Sequence, residues 1–166
     1  MLDIKKVSQQ SEIETITSIA HIVFHEVYDP YTPVEFVDQF IEDHQSVSDI
    51  QKQINEEGFH YYLLRENNTI TGYLGVQIKD CNMVLSKLYV LKEYRGLKIG
   101  KQALAFVNDL AQKHTIKQLE LEVSKQNSNT IKMYERDGFE IKDTLISLNT
   151  DGTKVEDYVM VKTIPF

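Results

Sequence analysis

The stretch Leu88-Tyr89-Val90-Leu91-Lys92-Glu93-Tyr94-Arg95-Gly96-Leu97-Lys98-Ile99-Gly100-Lys101 carries the reading of this chain. It begins as an apolar strand. It ends by opening a helical period through Ile99, Ala103, Leu104, Phe106, Val107, Leu110 and Ala111. Between the two lies a loop with two glycines and a run of cations. A helix N-terminus presents backbone N–H groups without intrahelical partners and a partial positive charge. Glycine lets the backbone approach a ligand that a side chain would hold off. With Arg95, Lys98 and Lys101 beside it, the loop suits a phosphate or pyrophosphate. The spacing is neither Gly-x-x-x-x-Gly-Lys-Ser/Thr nor Gly-x-Gly-x-x-Gly, so it is neither a Walker loop nor a dinucleotide fingerprint. Taken alone it reads equally well as a helix cap with surface lysines.

Upstream, residues 59–65, 70–78 and 83–91 read as three strands joined by short polar turns, Asn67-Asn68 among them, and suggest an antiparallel meander. Before them come a short strand candidate, Ile4 to Val7, and three helical stretches. The first opens on Ser11-Glu12-Ile13-Glu14 as a capping box. The second opens on Thr32-Pro33-Val34-Glu35, with Pro at the first helical position, and the third is capped by Ser48 or Asp49 and ended by Gly58. Downstream, Leu119-Glu120-Leu121-Glu122-Val123 alternates as a strand, residues 128–136 form a short helix closed by Asp137-Gly138, and two last strands flank a turn at Thr150-Asp151-Gly152. The class is α/β (α+β): a mixed sheet with helices packed on it, in a single domain over residues 1–166.

Composition narrows the function. The chain has 166 residues, 42% of them hydrophobic, and a net charge of −7. That charge argues against general nucleic-acid binding, which depends on many Lys and Arg contacts to phosphate. Residues 1–60 hold twelve acids against three bases, while the centre is locally basic. Such a division suits a cationic ligand at one place and an anionic one at another, though it serves solubility equally. The single cysteine, Cys81, forms no internal disulfide and no cysteine zinc cluster, which suits a cytoplasmic setting. No apolar run approaches the ~20 residues that span a bilayer, and Met1 to Lys6 lack the apolar core of a signal peptide. His21 and His25 stand four apart on a helix without a further ligand set, so no metal is expected.

Two ordered elements together resemble the GCN5-related N-acetyltransferase superfamily. The family's pyrophosphate motif is Gln/Arg-x-x-Gly-x-Gly/Ala, and Arg95, Ile99 and Gly100 fall into register with it. The departure is Lys98, which stands where the family usually has its first motif glycine. The second element is the strand 119–123 followed by Asn127, Ile131, Tyr134 and Gly138-Phe139, a strand, Asn, apolar residue, Tyr and Gly-Phe in the family's order. The resemblance covers about residues 59–162. More narrowly, the segment from Phe24 to Ile54, with Asp29, Pro33 and Phe40, is similar to bacterial spermidine/spermine N-acetyltransferases.

The resemblance implies a mostly antiparallel twisted sheet whose central strands splay apart, with acetyl-CoA as cosubstrate and its pantetheine between those strands. Leu88, Tyr89 and Val90 would supply backbone bonds, and the stretch Arg95, Gly96, Leu97, Lys98, Ile99, Gly100 and Lys101 would hold the pyrophosphate. Asn127 would touch pantetheine or an ordered water; simple N-capping is the other reading. Tyr134 would be the general acid, since a phenol of pKa near ~10 is protonated at pH 7 and can donate to a departing thiolate. For the base, many relatives use a strand glutamate where this chain has Leu85 and Ser86. Glu120 and Glu122, two apart and so on one strand face, are the remaining choices, directly or through water. The expected partner is a small-molecule primary amine, a polyamine first, with no nucleic acid and no membrane; a homodimer is left open. A peptide N-terminus or another amine as acceptor, and a non-catalytic CoA-binding module, are the alternatives.

Overall fold

The computed structural model describes residues 2–148, 152 and 154–165. The elements run β1 (Leu2–Lys6), α1 (Gln10–Tyr28), α2 (Val34–His44), α3 (Val47–Glu56), β2 (Phe59–Glu66), β3 (Thr69–Lys79), β4 (Asn82–Val90), a short 3-10 turn (Lys92–Tyr94), α4 (Ile99–Lys113), β5 (Gln118–Ser124), α5 (Ser128–Arg136), β6 (Glu140–Leu148) and β7 (Lys154–Thr163). The strand order is β1-β2-β3-β4-β5-β7-β6. Pairing is parallel between β4 and β5 and antiparallel in β1–β2, β2–β3, β5–β7 and β6–β7, so the sheet is mixed as expected. Most of the expected turn at Thr150-Asp151-Gly152 lies outside the described residues. The chain divides into two compact units, Met1–Gln77 with Lys87–Ala103, and Ile78–Ser86 with Leu104–Phe166.

In the first unit, Ile13, Ile16, Ile19, Ala20, Val23 and Phe24 recur at helical spacing along α1 and are buried against Val37 and Ile41 of α2, Ile50 of α3, and Tyr61, Leu63 and Tyr73 of the sheet. All three helix starts lie one to two residues earlier or later than the sequence signals place them. The capping carboxylate of α1 is Glu12, not Glu14. It accepts hydrogen bonds from the N–H groups of Ser8 and Gln9, both at 3.0 Å, and pairs with Lys5 at 2.8 Å. The Lys5 bond, then those two N–H groups, lower its pKa to about 2. Pro33 sits at the N-cap of α2 rather than inside it. Ser46, not Ser48 or Asp49, caps α3: its hydroxyl accepts from Asp49 N–H at 3.2 Å and donates to the Asp49 carboxylate at 2.6 Å. The fully buried Gln45 accepts from the Tyr73 hydroxyl at 2.7 Å and donates to Tyr61 at 3.1 Å. Burial pushes the Tyr61 phenol up to about 12.

In the second unit, Leu119, Leu121 and Val123 of β5 are buried while Glu120 and Glu122 lie on the other face. The parallel ladder is only three pairs long, Asn82 to Val84 with Gln118 to Glu120. The C-terminal end of α5 is braced. Lys162 donates to Asn108 Oδ1 at 2.8 Å and to Asp137 Oδ2 at 3.1 Å, and Asn108 donates to the same Asp137 oxygen at 3.0 Å. Gly138 at φ +103 then turns the chain into β6.

Candidate functional site

In the first unit, β4 is continued by Leu91, whose N–H donates to the Thr71 carbonyl at 2.8 Å. The 3-10 turn follows, and the loop from Gly96 to Lys98 enters α4. Two residues of this loop have left-handed backbone, Gly96 at φ +83 and Lys98 at φ +63. Ile99 and Ala103 are buried and anchor the first turn of α4. The backbone N–H groups of Gly96, Leu97, Lys98, Ile99, Gly100 and Lys101 have no hydrogen-bond partner among the described residues; the first intrahelical bond is Gln102 N–H to the Lys98 carbonyl. A continuous run of free donors at a helix start, flanked by the amines of Lys98 and Lys101, has the polarity that an anion cradle requires.

The position of Lys98 explains why a glycine is usual there. A left-handed backbone costs an L-residue roughly 1–2 kcal/mol relative to glycine's indifference. Lys98→Gly should therefore leave stability unchanged or raise it by up to about 1 kcal/mol. Lys98→Val, β-branched, should lower it. Thermal unfolding of the two variants checks the backbone conformation directly, and equal losses in both would contradict it.

Arg95, expected among the pyrophosphate residues, turns back on its own unit. Its Nε donates to the Val90 carbonyl and its Nη2 to the Glu26 carboxylate of α1, each at 2.9 Å. It thereby ties the end of β4 to α1 and fixes the stem of the loop. Leu88, Tyr89 and Val90 are half-buried. The Tyr89 ring packs on Phe24 with centroids 4.9 Å apart and on Tyr73 at 5.8 Å, and its hydroxyl lies 3.2 Å from that of Tyr28. Gly72 of β3 passes so close that a Cβ there would lie 2.0 Å from the Tyr89 carbonyl oxygen.

In the second unit, Glu120 is half-buried and Glu122 exposed, opposite Val161 and Val159 of β7. Their face also carries Ser124 and, opposite it, Asp157. Burial raises the Asp157 carboxyl above the usual aspartate range. Asn127 occupies the N-cap of α5, yet its side chain makes no capping bond, so the amide is not committed to the capping that the sequence allows. Tyr134 is buried on α5, its ring edge-on to Phe139 at 5.6 Å, and its carbonyl accepts from Phe139 N–H at 3.0 Å. The cradle residues 95–101 thus gather in the first unit, and Asn127, Tyr134, Glu120 and Glu122 belong to the second.

Sequence reading missed the pairing of Glu26 with Arg95, and missed Tyr28, Gly72 and Asp157. Glu26 and Tyr28 are 69 and 61 residues from their partners, and nothing in a helix pattern names a partner at that distance. The available signal for Gly72 was a glycine inside a strand, one of two there with Gly75, which marks close backbone approach. His21 and His25 form no ligand pair: both ring nitrogens of His25 are taken by Asp29 and Asp38.

The chain is similar to known acetyltransferases in sequence and fold. The family model described as "Acetyltransferase (GNAT) family" matches residues 21–139. Spermidine N(1)-acetyltransferase of Thermoplasma acidophilum is 26% identical over 165 residues, covering 97% of this chain and 96% of its own. The crystal structure of PaiA N-acetyltransferase from Thermoplasma acidophilum in complex with coenzyme A superposes with a TM-score of 0.80 at 23% identity, covering 98% of this chain and 99% of that one. The ribosomal-protein-S18-alanine N-acetyltransferase of Escherichia coli follows at 0.77 and 18%, covering 100% and 96%. With the family match extending over more than half its length, this chain belongs to the GNAT acetyltransferase family and is a GNAT-type N-acetyltransferase.

Proposed function

We propose that this chain transfers an acetyl group from acetyl-CoA to a primary amine of a small molecule, a polyamine in the first instance, by direct attack of the amine in a ternary complex. The observation that carries the reading is the run of free N–H groups from Gly96 to Lys101, which fits the diphosphate of coenzyme A in number, polarity and access. Lys98 and Lys101 add charge to that hold. Leu88, Tyr89 and Val90 pair with the pantetheine amides, and a backbone N–H at Tyr89 or Val90 steadies the thioester oxygen as charge develops there. Tyr134 gives its phenolic proton to the departing thiolate. Asn127, free of its cap, holds pantetheine or a water. An amine of pKa near ~10 must shed a proton before it attacks. Glu120, Glu122 and Asp157, whose carboxyl burial makes more basic than an ordinary aspartate, share the face that can take it.

Support for a polycation comes from the spermidine-acetylating relative and from the acidic excess of residues 1–60. Part of that excess is already neutralised: Glu26 is paired with Arg95, and Asp29 and Asp38 with His25. Glu35, Glu42 and Asp43 of α2 are exposed and contribute to the attraction that remains. Turnover across a panel of spermidine, spermine, a monoamine and a peptide with a free N-terminus, at fixed acetyl-CoA, tests the acceptor. Spermidine or spermine should give the highest kcat/KM. An inert spermidine beside a reactive peptide would replace the polyamine reading with N-terminal acetylation.

A further inference from the structure

His25 stands on the last turn of α1 and is held from both sides. Its Nδ1 lies 2.7 Å from Asp29 Oδ1 at the C-cap of the same helix, and its Nε2 lies 2.6 Å from Asp38 Oδ1 on α2. A carboxylate only accepts, so two such contacts require two N–H donors on one ring. Neutral imidazole has one, and its second nitrogen would set a lone pair against a carboxylate. We infer that His25 is a proton-operated clasp: it fastens α2 to the end of α1 while its ring is an imidazolium and releases Asp38 or Asp29 when the proton leaves. This inference goes beyond the acetyl-transfer reading and does not depend on it.

The surroundings support the assignment. His25 is partly buried, with a side-chain exposure of 24%, against 36% for Asp29 and 59% for Asp38, so the ring is shielded and its partners reach in from solvent. The charged groups acting on it are those two, Asp29 from its own helix and Asp38 from α2. The neighbouring Glu26 is engaged with Arg95, and His21, one turn back, is exposed. The hydrogen bond to Asp29 is the largest influence and holds the ring's pKa above that of an ordinary imidazole; burial opposes it, and Asp38 adds to the rise. A raised folded-state pKa means that the clasp's contribution is fully present below the unfolded value and is lost as pH rises through the folded one. The rest of α2 stays attached through Val37 and Ile41, which are buried, so opening the clasp loosens the helix without detaching it.

The test is amide hydrogen exchange of α2 in the full chain, corrected for intrinsic rates, alongside NMR of ¹⁵N-histidine-labelled protein across the same pH range. The expected result has both His25 ring nitrogens protonated at low pH and a titration above that of free imidazole. Protection of the α2 amides should fall through that titration, by about tenfold for each pH unit by which the folded value exceeds the unfolded one. Asp38→Asn, which keeps His25 and its packing, should lower the ring's pKa and flatten the pH dependence of α2 protection; His25→Gln should abolish it. A ring that titrates at or below the ordinary imidazole value, or α2 protection that ignores the titration in the parent protein, would overturn the inference.

Discussion

Tyr134→Phe should lower turnover by about a hundredfold or more while coenzyme A affinity and thermal stability change little. The substitution removes one oxygen and keeps the ring that packs on Phe139. Tyr134 is buried edge-on against Phe139, and its backbone is fixed by the turn at Asp137-Gly138 and by the Lys162, Asn108 and Asp137 brace. Phenylalanine fits the same space. In the proposed mechanism, what is lost is the hydroxyl donor that meets the thiolate as it leaves. A drop in kcat at constant coenzyme A affinity marks an interaction made only as the bond breaks. Turnover equal to that of the parent would remove Tyr134 from the chemistry and return it to the core of the second unit.

Gly72→Ala should be the most damaging single methyl in the first unit, with a loss of about 3 kcal/mol or more and a raised KM for acetyl-CoA in whatever protein remains folded. The added Cβ would stand 2.0 Å from the Tyr89 carbonyl oxygen and 3.0 Å from Val90 Cα. Both are backbone, so no side chain can rotate away, and the end of β4 must shift. That end carries Leu88, Tyr89 and Val90 and, through the Val90 carbonyl, the Arg95 tether of the loop. Gly96→Ala is the useful comparison. Nothing lies within 4 Å of a Cβ there, and only the left-handed φ of +83 is penalised, by roughly 1–2 kcal/mol. Equal stability of the Gly72 variant and the parent, by thermal unfolding, would show that β3 and β4 do not approach in this way.

What the sequence made legible follows from the range of the forces involved. Strand alternation in 119–123 and helical spacing in 99–111 are local, and both elements appear where the pattern puts them. Helix ends shift by a residue or two because several Ser, Asp and Glu side chains compete for the same orphan N–H groups. Glu12 wins at α1 since Lys5 of β1 adds a charge to its two backbone bonds, and a helix pattern does not contain β1. The cradle was legible because it is contiguous: strand, glycine, cation and helix follow one another along the chain. The tether of Arg95 to Glu26, the hydroxyl pair of Tyr28 and Tyr89, and the contact of Gly72 with Tyr89 are products of tertiary packing. The base is least legible: Asp157 joins Glu120 and Glu122 as a candidate only through its burial, and burial is set by the fold as a whole.

Acetyl-CoA use in the proposed reaction depends on a diphosphate held by the N–H groups following Arg95. Backbone amide NMR during a coenzyme A titration measures this with no acceptor present and no turnover required. The expected result is saturable shifts at Gly96, Leu97, Lys98, Ile99, Gly100 and Lys101, in the direction of new hydrogen bonds and larger than those at amides already paired within α4. Saturation with coenzyme A that leaves these six amides unmoved would contradict the account.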